Sequence, residues 1–541
     1  MPVSICRDYL DMPLVMIVLA ELAEAAISTN LQQFVLVLSI SLTVATFSRI
    51  FSWLRQIPYT LLLVIVGLGL AFINVRLVNL SPELILEIFL PPLLFEAAWN
   101  IRWRELQKQW LPIALFALAG VAIAIFGIGF ALSQWTSLAL SSALLAGAAL
   151  SATDPVSVVA LFRELGASKK LTMVMEGESL FNDGVAVVAF LLLVGIPLGT
   201  QTFSMSATVA TFLVFVGIGV GFGCLIGFGI SFLTQRFDIP LVEQSLTLVS
   251  AYGTYLLTEE LGGSGVIAVV TVGMILGNFG SNIGMNPRTR LVVSEFWEFL
   301  AFFVNSIVFL LIGDQVNFGT LGESLDAIFV AIAAVLVTRA ISVYGLGWLS
   351  NQFSNNPLSF SEQTVLWWGG LRGSVSIAVA LSVPVVLGDR QEIINIIFGV
   401  VLFTLLVQGL TTQWVLEKLD LIGDQPIRQK YSEYLARRVA LKRVLNYLDQ
   451  LNLAADVDEE FYRYERDLVE GELETIEEKI EKLKSSHPQL QELDMKQLRD
   501  TLLDIEADTY AEFIRVGRLN KDLSPLLQET LIKATEKTIQ S

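Results

Sequence analysis

Histidine and cysteine are nearly missing from this chain of 541 residues, which has one His, His487, and two Cys, Cys6 and Cys224. The lone His sits in a polar C-terminal stretch, so the apolar part has neither an imidazole base nor a His-rich zinc set. Two cysteines far apart in sequence imply no disulfide framework and no thiolate metal site. Charge is also scarce. Only 16% of the residues are charged, while 54% are hydrophobic and the mean hydropathy is +0.64; soluble proteins run at about 25% charged. Most of the chain therefore belongs in lipid. An excess of positive charge is absent too: the formal net charge is -17, and residues 417–541 hold 19 Lys and Arg against 27 Asp and Glu. Nucleic acid is excluded as a partner on that ground.

What is present is a series of long apolar runs. A membrane helix takes about 20 mostly apolar residues. Residues 10–28 form one candidate, weakened by Glu21 and Glu24, that reads equally as a span, an interfacial helix or a signal lacking a basic start. From residue 31 the pattern predicts spans at 31–53, 57–75, 82–100, 110–132, 137–163, 171–196, 206–234, 242–259, 264–279, 295–315, 325–350, 363–388 and 391–416, thirteen in all. Lys and Arg in short loops concentrate on the cytoplasmic side. With the C-terminus inside, alternation puts Arg55, Arg102, Arg104, Lys108, Arg163, Lys169, Lys170, Arg236, Arg288 and Arg290 on that side and only Arg7, Arg76 and Arg390 outside, ten against three. The expected organisation is an N-terminal segment 1–30, an all-α polytopic domain 31–416 and a cytoplasmic helical tail 417–541.

Thirteen spans divide as six, one and six, so the second six-helix repeat enters the membrane inverted relative to the first. The fifth span of each half carries a helix breaker. In the first it is Thr153-Asp154-Pro155, where Pro removes a backbone donor; in the second it is Gly369-Gly370-Leu371-Arg372-Gly373, where clustered glycines weaken a helix by about 1 kcal/mol each. Matching interrupted helices in inverted halves point to a midplane ion site in secondary transporters.

Charges inside a bilayer cost a few kcal/mol each even on the lenient insertion scale. Those that cannot be moved to an interface are Glu96, Asp154, Glu178, Asp183, Arg339 and Arg372. Around two of them the chain reads Glu176-Gly177-Glu178-Ser179-Leu180-Phe181-Asn182-Asp183-Gly184. On a helix, Ser179 and Asp183 share one face at i,i+4, and Glu178 and Asn182 share another. Sodium, a hard cation, takes carboxylate, hydroxyl and carbonyl oxygens, and a break at Thr153-Asp154 frees carbonyls to complete such a set. A carboxylate so placed can hold either a proton or a cation. Competition of the two for Asp183 is exchange. Arg339 and Arg372 read as structural charges, with Arg372 expected to offset a buried acid such as Glu178 and the carbonyl ends of its own broken helix. Glu96, after Pro91-Pro92, is either a proton site or a packing acid, and Glu176 reads as facing water.

Ala152-Thr153-Asp154-Pro155, Glu178 to Asp183, Gly369 to Gly373 and Leu90-Pro91-Pro92-Leu93-Leu94-Phe95-Glu96 resemble the signature segments of monovalent cation/proton antiporters. The branch is that of bacterial NhaP-type proteins and animal sodium/hydrogen exchangers, and the similarity covers residues 31 to 416. The resemblance implies an electroneutral sodium/proton antiporter of the cell membrane, with lithium or potassium as alternative ions, serving pH and sodium homeostasis. It also implies a homodimer whose six-helix cores move as elevators. Asp183 would bind the ion, helped by Thr153, Glu178 and Ser179, with Asn182 where electrogenic relatives have a second Asp; the residues themselves add Asp154 to the candidate ion-binding set.

Other classes fit less well. An intramembrane aspartyl protease would use Asp154 and Asp183 but leaves Arg372 without a role. A cation channel could use the same site, yet paired broken helices favour alternating access. The tail repeats Leu473, Ile476, Ile480 and Leu483 at helical spacing before Ser485-Ser486-His487-Pro488, which suits either a regulatory region or a solvated appendage. It carries no nucleotide motif, and no cofactor is called for.

Overall fold

The computed structural model describes residues 32–486 except 49, 52–56, 74–76, 78–80, 201–203, 236–238, 282–284, 355, 423–424 and 452–458, together with 490 and 509. The candidate stretch 10–28 and the break at His487-Pro488 lie outside the described residues. Among those described, every regular element is helical. Apart from short six-residue helical pieces at Leu84–Phe89, Trp103–Lys108 and Phe318–Glu323, those of the first unit are, in order, α1 (Gln32–Ser48), α2 (Tyr59–Phe72), α3 (Leu90–Asn100), α4 (Trp110–Trp135), α5 (Leu140–Ala149), α6 (Val156–Leu165) and α7 (Lys169–Leu193). There follow α8 (Met205–Thr234), α9 (Pro240–Glu260), α10 (Gly265–Gly280), α11 (Pro287–Asp314), α12 (Leu325–Asn351), α13 (Phe360–Trp368), α14 (Ser374–Leu381) and α15 (Arg390–Lys418). Five of the described helices are long and apolar enough to cross a membrane, at Trp110–Trp135, Ser206–Thr234, Arg288–Asp314, Leu325–Asn351 and Arg390–Lys418.

The chain forms two compact units, Met1–Gly423 and Asp424–Ser541. Inside the first, α2, α3 and α8–α11 pack mainly among themselves, and so do α4–α7 and α12–α15. Small residues permit the closest approaches. Gly219, Gly223 and Gly227 recur every fourth residue along α8, and a Cβ at each would press into the Ser264 carbonyl, the Ala268 carbonyl or Ile275 on α10. This is the small-xxx-small solution for helices that gain no hydrophobic drive from lipid. Many apolar side chains of α8, such as Leu213, Leu225 and Phe232, remain exposed.

Element ends differ from the apolar runs where polar residues cap a helix. The run predicted at 295–315 is the inner part of a longer helix, because Asn286 accepts from the Thr289 N–H at 2.8 Å and Pro287 occupies the first turn. The run at 137–163 is two helices, α5 and α6, separated by residues 150–155; that at 363–388 is likewise α13 and α14, separated by Gly369 to Gly373.

Among its described residues the second unit holds two helices, Gln425–Leu451 and Glu459–Ser486. Tyr431 of the first buries itself with Ile476 and Ile480 of the second, and Leu483 packs against them. Lys442 and Glu477 pair across the hairpin at 2.9 Å, which holds the Glu477 carboxyl below its ordinary range. The pair is exposed and contributes little.

Candidate ion site at the crossing of two broken helices

The two breaks are stitched to each other. The Asp154 N–H donates to the Leu371 carbonyl at 2.9 Å, so backbone left unpaired by one interrupted helix is satisfied by the other. Each break leaves a helix C-terminus with spare carbonyls and a helix N-terminus with spare N–H groups, the negative and positive ends of short dipoles. At the end of α5, Arg372 Nη1 donates to the Ser151 and Ala152 carbonyls, both at 2.8 Å. At the end of α13, Arg339 Nη2 donates to the Leu366 carbonyl at 3.1 Å.

A single acid serves both N-termini. Asp154 Oδ1 accepts from the Val156 N–H at 3.1 Å at the start of α6, and the Asp154 carboxylate also accepts from the Ser374 backbone at the start of α14. It reaches α14 because position 373 is glycine; a Cβ there would overlap the Asp154 carboxylate.

Helix α7 passes beside this crossing and presents its polar residues in two directions. Asn182 clamps Thr153: its Oδ1 accepts from the Thr153 N–H at 3.2 Å and its Nδ2 donates to Thr153 Oγ1 at 2.6 Å. Ser179 Oγ donates to the Thr153 carbonyl. Glu178 turns to Arg339, with Oε2 to Nη2 at 3.0 Å and Oε1 to Nη1 as a second contact. This corrects the expected partner: the arginine that neutralises Glu178 is Arg339, since Arg372 is spent on the α5 carbonyls. Both Glu178 oxygens are thereby engaged by a cation of the protein itself.

Asp154, Ser179, Asp183 and Glu96 line one cavity of about 270 Å³. Thr153, Asn182, Glu178, Arg339 and Arg372 stand behind its wall and hold it in shape. Asp183 is 8% exposed, and its Oδ1 has no hydrogen-bond partner among the described residues. An unpaired buried carboxylate oxygen is costly, and a proton or a cation is what would satisfy it. Arg372 and Asp154 lie within electrostatic reach of Asp183. Ser179 still has lone pairs to offer after donating its proton, and the Thr153 carbonyl has a second one.

The cavity opens toward exposed Asn100, Ala160 and Arg163. Arg163 pairs with Glu176 there at 2.6 Å, and Asn100 Nδ2 donates to Glu96 Oε1 at 2.6 Å. Glu176, read from sequence as facing water, lines the cavity and is held by that pair. Two further polar residues, Glu298 and Asn305 of α11, also line the cavity and were not picked out from sequence. Asn305 interrupts the apolar run Ala301 to Ile312, a signal that the search for charges passed over.

A profile described as "Sodium/hydrogen exchanger, transmembrane" matches residues 15–418. The Na(+)/H(+) antiporter ApNhaP of Aphanothece halophytica is 64% identical over 95% of this chain and 99% of its own length. The low-affinity Na(+)/H(+) antiporter NhaS1 of Synechocystis is 63% identical over 93% of this chain and 96% of its own. Among solved structures, the sodium proton antiporter MjNhaP1 of Methanocaldococcus jannaschii superposes with a TM-score of 0.60 at 20% identity, covering 73% of this chain and 99% of that one. That likeness concerns the fold.

Proposed function

Because the chain belongs to the sodium/hydrogen exchanger family and is an integral membrane protein, we propose that it exchanges sodium ions for protons across the membrane through the Asp183 cavity. The carrying observation is the Asp183 carboxylate: buried, unpaired at one oxygen, and facing a cavity beside the crossing of two broken helices. One group that takes either a proton or a hard cation, but not both, converts a gradient of one into movement of the other. Asp154, Ser179 and the Thr153 carbonyl supply further oxygens. Glu178 and Asn182 belong to the frame rather than to the ligand set, because their polar atoms are committed to Arg339 and to Thr153.

The segregation of helices supports an elevator. The set α4–α7 with α12–α15 carries the crossing and would move as the transport core against α2, α3 and α8–α11, with the cavity lying between them. In the proposed topology of thirteen spans in two inverted repeats, the cavity mouth at Arg163 is cytoplasmic, as is the tail 417–541. The exposed apolar side chains of α8 suit a lipid-facing or dimer-forming surface, in keeping with a homodimer in the cell membrane that serves sodium and pH homeostasis.

The test is pH-dye dequenching in proteoliposomes, with sodium, lithium and potassium titrated separately. Sodium should drive proton flux, and Asp183→Asn should abolish it while the protein stays monodisperse, since an amide cannot trade a proton for a cation. Asp154→Asn should impair both rate and apparent affinity, because its carboxylate also joins two helix ends. Preserved sodium-driven flux in Asp183→Asn would overturn the reading.

A further inference from the structure

Two walls of the cavity carry the same ladder. On α7, Glu176 lies near the mouth and Asp183 follows seven residues later; on α11, Glu298 is followed seven residues later by Asn305, and all four line the cavity. Seven residues are two helical turns, about 10 Å along an axis, and return the side chain to the same face. Ala301 and Phe302 fill the turn between Glu298 and Asn305 on that face. Glu176 and Glu298 both lie within electrostatic reach of Glu96. Asp183 and Asn305 thus line the same cavity from two different helices.

Its surroundings leave it little else to do. Asn305 is partly buried, and its amide makes no hydrogen bond with a described residue, whereas Ser306 beside it is bonded to Tyr59 Oη at 2.8 Å and to the Phe302 carbonyl at 2.6 Å. An amide in an apolar helix is costly when unpaired. The helix that carries it is firmly placed: Trp297 stacks on Phe95 of α3 at 4.1 Å and donates to Thr247 of α9 at 3.0 Å. Asn305 is thus a fixed polar group on the wall outside the proposed moving core.

We propose that Asn305 is a specificity-determining residue that binds the partly hydrated sodium ion with its amide oxygen, from a different helix than Asp183, while the core faces the mouth. The assignment rests on Asp183 as the ion-binding carboxylate. A neutral amide adds cation affinity without adding a second titratable group. It also ties that affinity to one position of the core, because α11 does not travel with Asp183.

The experiment measures the sodium dependence of exchange in proteoliposomes for wild type, Asn305→Leu, Asn305→Gln and Asp183→Asn, together with the sodium concentration that half-protects each purified protein against heat. Asn305→Leu keeps the size and removes the amide. It should raise half-saturating sodium about five- to tenfold, the loss of one contact of hydrogen-bond strength, with the maximal rate within about twofold of wild type. The sodium dependence of thermal protection should shift by the same factor, and Asn305→Gln should restore part of both. If Asn305→Leu does not fold, Asn305→Ala carries the same test. Unchanged half-saturation, or a lower rate at unchanged half-saturation, overturns the assignment. Loss of exchange in Asp183→Asn alongside that result removes Asn305 only, whereas retained exchange in Asp183→Asn removes the site on which it rests.

Discussion

Arg372→Ala removes the cap of the first half-helix. Arg372 is 2% exposed, and its Nη1 donates to the Ser151 and Ala152 carbonyls, each at 2.8 Å. Hydrogen bonds from a charged donor contribute about 1.5–3 kcal/mol each, and breaking a buried ionic arrangement costs about 3–5 kcal/mol. Both routes give roughly 3–5 kcal/mol, because losing the guanidinium removes both charged donors and leaves the Ala152 carbonyl only the long hydrogen bond from Ser376 Oγ at 3.5 Å. A second effect acts the same way: Arg372 lies within electrostatic reach of Glu178 and Asp183, so its loss leaves buried acids less compensated. At about 2–4 °C per kcal/mol for a large domain, the melting temperature should fall by about 6 °C or more. Arg372→Lys keeps a charge and donors but loses the planar fork, and should fall between. The assay is loss of the monodisperse peak after heating in detergent, with exchange and cation selectivity measured well below the melting range. An alanine variant that melts with wild type and alters selectivity would refute the argument and make Arg372 part of ion recognition.

Two further outcomes follow from the same geometry. Gly373→Ala would set a methyl group against an Asp154 carboxylate held by Val156 and Ser374; overpacking of this kind costs about 1–3 kcal/mol, and sodium half-saturation should rise sharply, so an unchanged sodium titration would contradict the close fit. Exchange should also be electroneutral, since Asn182 cannot titrate and both Glu178 oxygens are engaged by Arg339. With potassium and valinomycin setting the voltage at fixed gradients, a reversal point that moves with voltage would show that a second proton is carried; each net charge would otherwise feel roughly 2.3 kcal/mol per 100 mV.

Much of the site was legible because buried charge is rare in a membrane chain. Asp154, Asp183, Glu178, Arg339, Arg372 and Glu96 stood out by their cost alone, and each has a definite place in or behind the cavity. The i,i+4 spacing paired Ser179 with Asp183 and Glu178 with Asn182, but it did not tell which pair meets the cavity; only Ser179 and Asp183 line it. Partners were not legible. Nothing in the sequence chooses between Arg339 and Arg372 as the mate of Glu178, because both arginines donate to broken helix ends and only the fold brings Arg339 of α12 to Glu178 of α7. Asn305 and Glu298 were missed for a related reason, since only the fold brings them to the cavity that Asp183 lines, from a helix distant in sequence.

Local properties of the chain thus determined the apolar spans, the two breaks and the acids that lipid will not tolerate unpaired. Each follows from residue type and spacing, through desolvation cost and backbone hydrogen bonding. Tertiary structure alone decided that the two breaks satisfy each other through Asp154 and Leu371, that arginines cap both C-terminal ends, and that one oxygen of Asp183 is left over. The physical reason is that a hydrogen bond satisfied between distant segments leaves no trace in either segment alone. The unsatisfied Asp183 oxygen, able to bind an ion, emerges only when the segments around it have packed together.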